Sequence, residues 1–164
     1  MTVWWITLFS TYFLCLFARM SGKYKYVKGE RVFRANALFA GMVCAVLIFV
    51  SGFRQGIGDT GTYRNLFEKV PASFFGFLRH PTIKADSGFY AIVAFIKQLI
   101  SPDSQKVLLC MAIVTIGLIF ITYYKNTDMI EMAVFLFITS GCYLVTMNGV
   151  RQYLASAILF FCFQ

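Results

Sequence analysis

Three short polar strings stand out in this otherwise apolar chain. Residues 54 to 63 read R-Q-G-I-G-D-T-G-T-Y, residues 86 to 90 read D-S-G-F-Y, and residues 147 to 152 read M-N-G-V-R-Q. Arg54 and Arg151 carry guanidinium forks, which suit phosphate because they make bidentate contacts and keep their charge. Asp59 supplies a carboxylate of the kind that serves as general base on a hydroxyl. Gly56, Gly58 and Gly61 let the backbone take positive φ and approach a ligand closely. Asn148 is placed to cap a helix that puts Val150, Arg151 and Gln152 in its first turn, where free N–H groups and the positive dipole end favour an anion. Together these groups fit a lipid-linked pyrophosphate. Asp59 would take the proton of a sugar hydroxyl while Arg54 and Arg151 neutralise charge on the leaving pyrophosphate, which is glycosyl transfer without a nucleotide. Asp86 is a further polar candidate. Plainer readings stand beside these: Asp59 and Asp86 as helix N-caps, and both arginines as snorkelling anchors at helix ends.

Other chemistries find little support. No phosphate-binding Walker loop, H-E-x-x-H pair, nucleophile elbow or dinucleotide fingerprint is present, and no cofactor or metal is expected. Cys15, Cys44, Cys110, Cys142 and Cys162 each lie inside an apolar run without metal-ligand or redox spacing, so they read as small core residues. His80 is the sole histidine and precedes Pro81, which suits a solvated loop better than a ligand. The net charge of +8 would suggest nucleic acid in a soluble protein. Here the basic residues mark loops, and no nucleic-acid partner is expected.

The elements that must position the polar strings are membrane helices. Apolar residues make up 59% of the chain, and the runs at 4 to 18, 36 to 53, 107 to 124 and 132 to 147 lack polar faces and approach the ~20 residues a crossing needs. Trp4 and Trp5 read as interfacial anchors of a retained first helix. Residues 19 to 34 hold six Lys or Arg against the single acid Glu30, which makes this loop cytoplasmic and the N-terminus external; the same loop is compatible with anionic lipid head groups. The second helix then delivers Asp59 to the outer face. Tyr63, Leu66, Phe67 and Val70 recur at helical spacing, and a second piece after Pro71 carries Phe74, Phe77 and Leu78; both read as short helices on the membrane surface, with Pro71 in the first turn of the second. Residues 86 to 100 are too short to span and contain Lys97, so they read as a buried or re-entrant helix, which returns Arg151 to the face that holds Arg54. The expectation is an all-α polytopic transmembrane protein with about five spanning segments. Residues 1 to 164 form one transmembrane domain, expected to be the N-terminal part of a larger membrane protein.

The strings G-F-R-Q-G-I-G-D-T-G-T-Y at 52 to 63, D-S-G-F-Y at 86 to 90, and M-N-G-V-R-Q followed by L-A-S-A-I resemble the EpsG family of polytopic membrane proteins from bacterial exopolysaccharide and biofilm-matrix gene clusters. The resemblance covers nearly the whole chain. It implies a Wzy-like polymerase, similar to GT-C glycosyltransferases, that joins repeat units carried on a polyprenyl pyrophosphate at the outer face of the bacterial plasma or inner membrane. Arg54, Asp59 and Arg151 match the family's motif positions, with Asp59 as the catalytic base and Arg54, Arg151, Gln152, Asn148 and Asp86 around pyrophosphate or glycan. Membrane lipids and other exopolysaccharide assembly proteins are the expected partners. The alternative is a non-catalytic subunit or lipid-linked-glycan binder that positions the assembly or export machinery.

Overall fold

The computed structural model describes residues 2–27, 30–79 and 87–163. Nearly all of it is helix, with a single two-stranded sheet, as the all-α expectation requires. In chain order the elements are α1 (Thr2–Met20), β1 (Lys23–Val27), β2 (Glu30–Arg34), α2 (Ala37–Gly52), α3 (Thr60–Lys69), α4 (Phe74–Arg79), α5 (Ser87–Leu99), α6 (Ser104–Asn126), α7 (Ile130–Thr139), α8 (Cys142–Asn148) and α9 (Val150–Cys162).

Helix length separates the elements into two kinds. α1 and α6 are long and apolar enough to cross a membrane, and α7 with α8 passes the same test as a pair bent by 57°. α2, with 16 residues, and α5 and α9, with 13 each, are apolar but shorter. Among the described residues, then, two or three spans meet the length criterion where about five were expected. The reasons are local. The apolar run 132 to 147 is divided at Ser140 and Gly141, where Gly141 takes φ 81° and starts α8, and Gly149 ends α8 before α9 begins.

The bundle has two distinct ends. At one, Arg19 pairs with Glu131, Arg34 donates 2.9 Å to the Tyr124 carbonyl, and the Tyr124 hydroxyl donates 2.9 Å to the Ala35 carbonyl. This basic end gathers the C-terminus of α1, the hairpin, the N-terminus of α2, the C-terminus of α6 and the start of α7. The segment expected as a plain basic loop is an antiparallel hairpin with Tyr24 opposite Phe33 and Lys23 opposite Arg34. At the other end Gln105, in the first turn of α6, donates 2.5 Å to the Gly52 carbonyl at the close of α2. Since α2 ends where α6 begins, α3, α4 and α5 lie between two helix termini on one side, and α5 does not carry the chain across.

Two apolar cores share α6. One joins Val43 and Leu47 of α2, Ile116 and Phe120 of α6, Val134 of α7 and Tyr143 of α8. The other joins Tyr63 and Phe67 of α3, Phe77 of α4, Tyr90 and Val93 of α5, Leu108 of α6 and Leu154 of α9. The helical spacing of Tyr63, Phe67 and Val70 is thus an inward face. α4 starts at Phe74, after Pro71, because the Ser73 hydroxyl accepts from the Gly76 N–H and the Ser73 carbonyl accepts from the Phe77 N–H. Pro71 therefore lies ahead of that helix and outside its first turn. Of the two expected anchors, Trp5 is exposed, while Trp4 packs edge-on against Tyr143 with centroids 5.7 Å apart.

Candidate functional site

Two of the three polar strings meet at the end opposite the basic one. Arg54 follows α2 directly, and its Nη2 donates 2.9 Å to the carbonyl of Met147, ninety-three residues away in the last turn of α8. Gly58 has φ 55°, and a Cβ built there would overlap Asn148 Oδ1. Only glycine provides both the left-handed backbone and the missing side chain that this approach requires. R-Q-G-I-G-D-T and M-N-G-V-R-Q are therefore packed backbone against side chain.

Arg54 is 4% exposed. Its Nε donates 3.0 Å to Thr60 Oγ1, and its Nη1 donates 2.8 Å to the Ser51 carbonyl. Ser51 and Met147 close α2 and α8, so one cation satisfies orphan carbonyls at two negative dipole ends. Burial lowers the pKa of the guanidinium, and the nearby positive charge of Arg64 acts in the same direction. The space beside it, lined by Ser51, Thr115 and Thr146, amounts to about 10 Å³, too little for any organic ligand. Arg54 is a buried clasp that holds the two strings together, and its snorkelling alternative does not apply.

Asp59 occupies the N-cap position of α3, yet its side chain makes no capping hydrogen bond, and the residue is exposed. The hydrogen bond that would make it a cap is missing, so the carboxylate is open to solvent at a helix N-terminus. α9 begins in a comparable way. Its N-cap is Gly149, without a side-chain bond, and Asn148 is the last residue of α8. Asn148 therefore does not cap α9 as its position in the sequence suggests. Its Oδ1 is instead buried and unpartnered where Gly58 presses against it. Arg151 and Gln152 lie in the first turn of α9 and are exposed. Two helix N-termini without side-chain caps thus open at the end where the strings meet, and their positive dipole ends suit an anion.

Asp86 and His80 lie outside the described residues. Two further cations at this end have roles that the sequence reading did not give them. Arg64, on α3, donates through Nη2 to Gln105 Oε1, while its Nε is buried without a partner. Lys97, 6% exposed on α5, donates 2.5 Å to the Phe67 carbonyl and 2.9 Å to the Val70 carbonyl, closing the C-terminus of α3. Neighbouring Gln98 accepts from the Phe74 N–H at the start of α4. The cost of burying Lys97 is met by these carbonyls, a use visible only once α3 and α5 are adjacent. An apolar groove of about 520 Å³, lined by Tyr123, Phe137, Thr146, Tyr153 and Phe160, runs along α6, α8 and α9 and shares Thr146 with the small cavity beside Arg54.

No curated protein and no solved structure matches the chain. The family comparison agrees with the motifs: residues 37–164, which contain both strings and every element from α2 to α9, match the EpsG family, and the chain belongs to that family.

Proposed function

We propose that this protein extends or polymerises a glycan carried on a polyprenyl pyrophosphate at the outer face of the bacterial cell membrane. Membership of the EpsG family supports the coarser statement, a membrane protein of exopolysaccharide biosynthesis. The observation that carries the finer reading is the convergence of an exposed, uncapped Asp59 with the uncapped N-terminus of α9 through the contact of Gly58 with Asn148.

In this reading the pyrophosphate lies toward Arg151, Gln152 and the first-turn N–H groups of α9, with Asn148 at the floor, and Asp86, outside the described residues, is kept for the hydroxyl groups of the glycan. Asp59 accepts the proton of an acceptor sugar hydroxyl as its oxygen bonds to the anomeric carbon of the donor. The bond from that carbon to the pyrophosphate oxygen breaks, and the electron pair leaves with the polyprenyl pyrophosphate. Arg54 serves by holding the loop, since its three nitrogens are engaged within the protein. The groove along α6 and α9 has the apolar lining a polyprenyl chain would need.

The test is exopolysaccharide length in cells carrying Asp59→Asn or Arg151→Ala at matched membrane abundance. Loss of long chains with accumulation of single lipid-linked units is the expected result. Unchanged chain length would reduce the protein to a scaffold.

A further inference from the structure

Arg64 is held in an unusual state. It lies on the inward face of α3, four residues after Thr60, and one arm of its guanidinium is fixed by Gln105 Oε1. Gln105 is itself anchored to the Gly52 carbonyl, so the strut reaches from α3 through α6 to the end of α2. The Nε donor is shut away from solvent with nothing among the described residues to accept from it, which is costly for a polar group and more so for a charged one. A second guanidinium, Arg54, is close by, and the acceptors that hold both arginines are neutral: Ser51, Thr60, Met147 and Gln105. Among the described residues neither arginine has a carboxylate partner. Among the described residues these two neighbouring cations are held by neutral acceptors alone, and one of them is incompletely hydrogen-bonded.

We propose that Arg64 is an anion-binding residue at the end of the bundle where the two polar strings meet, releasing Gln105 to take a phosphate or diphosphate oxygen when one arrives. The inference rests on the proposed function for the ligand, and adds to it a contact that neither polar string contains. Arg54 is less suited to that role, because it is 4% exposed and all three of its nitrogens already donate within the protein. Arg64 is better suited, because it gives up a single neutral acceptor and gains a charged one. Arg64 is half-buried and lies five residues after Asp59 in the chain.

The experiment uses the full chain in phosphatidylcholine nanodiscs and follows thermal unfolding with two probes, inorganic pyrophosphate in solution and a polyprenyl diphosphate in the bilayer. The unmodified protein should be stabilised by the diphosphate. Stabilisation by both probes assigns the site to the diphosphate group itself, and stabilisation by the lipid alone assigns it to a membrane-borne ligand. Arg64→Gln should weaken the apparent affinity at least about tenfold, as expected for one charge-assisted hydrogen bond, with Arg64→Lys between the two. Gln105→Ala removes the strut and leaves the arginine, so affinity should hold within about threefold while unfolding without ligand occurs earlier. If the unmodified protein and Arg151→Ala respond differently to the probe but Arg64→Gln matches the unmodified protein, Arg64 is a strut and this inference fails alone. If neither probe stabilises the unmodified protein, the inference and the proposed function fail together.

Discussion

Arg54 donates from all three guanidinium nitrogens to neutral oxygens, whereas Asp59, five residues later, makes no capping bond. The two most conspicuous charges of the glycine string therefore do opposite work, and their substitutions should separate. Arg54→Ala strands the carbonyls of Ser51 and Met147 and should lower stability by about 2–4 kcal/mol, read as thermal unfolding in detergent micelles. Asp59→Asn should leave unfolding within about 0.5 kcal/mol of the unmodified protein, because nothing in the fold depends on the carboxylate. A large loss in Asp59→Asn would restore the capping role and remove the case for chemistry there. Both residues stand out in the sequence as charges at the edge of an apolar run. Their division of labour does not, because it depends on a carbonyl ninety-three residues away. Arg64 was illegible for the same reason: on a short amphipathic helix it reads as one more solvated charge until Gln105 is seen beside it.

At the scale of elements, apolar run length located the long helices and missed their breaks. The run 36 to 53 became α2 and the run 107 to 124 became α6, each within a few residues. The run 132 to 147 became two helices, and the signal for that was present in the Ser140–Gly141 pair, a turn dipeptide inside an apolar stretch. Alternation in K-Y-K-Y-V is likewise a strand signal, whereas E-R-V-F-R does not alternate and forms a strand by pairing with it. Lys97 shows how an awkward residue can reveal an arrangement. A lysine in a short apolar helix is costly in a span, and α5 instead uses it to close α3 while Gln98 opens α4. Burial lowers the ammonium pKa, but the two carbonyls leave it in a position to donate. Lys97→Met should therefore loosen α3 and α4 together: amide hydrogen exchange across residues 60 to 79 should accelerate about tenfold or more, with α6 little changed. Equal acceleration in α6 would mean that α3 to α5 are not a separately stabilised unit.

At the scale of the whole molecule, two groups of polar contacts mark opposite ends of the fold. The Arg19–Glu131 pair, the hairpin and Lys125, which sits over Phe161, occupy one end, and the two polar strings occupy the other. In the proposed topology the density of basic residues in the hairpin would hold that end in the cytoplasm and turn the strings outward. In a variant without the five native cysteines, Thr62→Cys on α3 should react with an impermeant thiol reagent in intact cells, while Lys23→Cys should not. The reverse pattern would place the strings inside. Both arginines of the strings were expected on one face because residues 86 to 100 seemed too short to cross, and the Gln105 to Gly52 hydrogen bond supports that choice directly. What composition could not supply was the purpose of that arrangement, which depends on Gly58 meeting Asn148 between two open helix N-termini.

The most direct test of glycan extension at this site is turnover in proteoliposomes. The full chain is supplied with a polyprenyl-pyrophosphate-linked oligosaccharide, and product length and released polyprenyl pyrophosphate are followed together. The account predicts that glycan length and released carrier rise in step for the unmodified protein and that Asp59→Asn abolishes both at equal protein content. Turnover by Asp59→Asn at the unmodified rate, or binding of the lipid-linked oligosaccharide by the unmodified protein without any elongation, would contradict it.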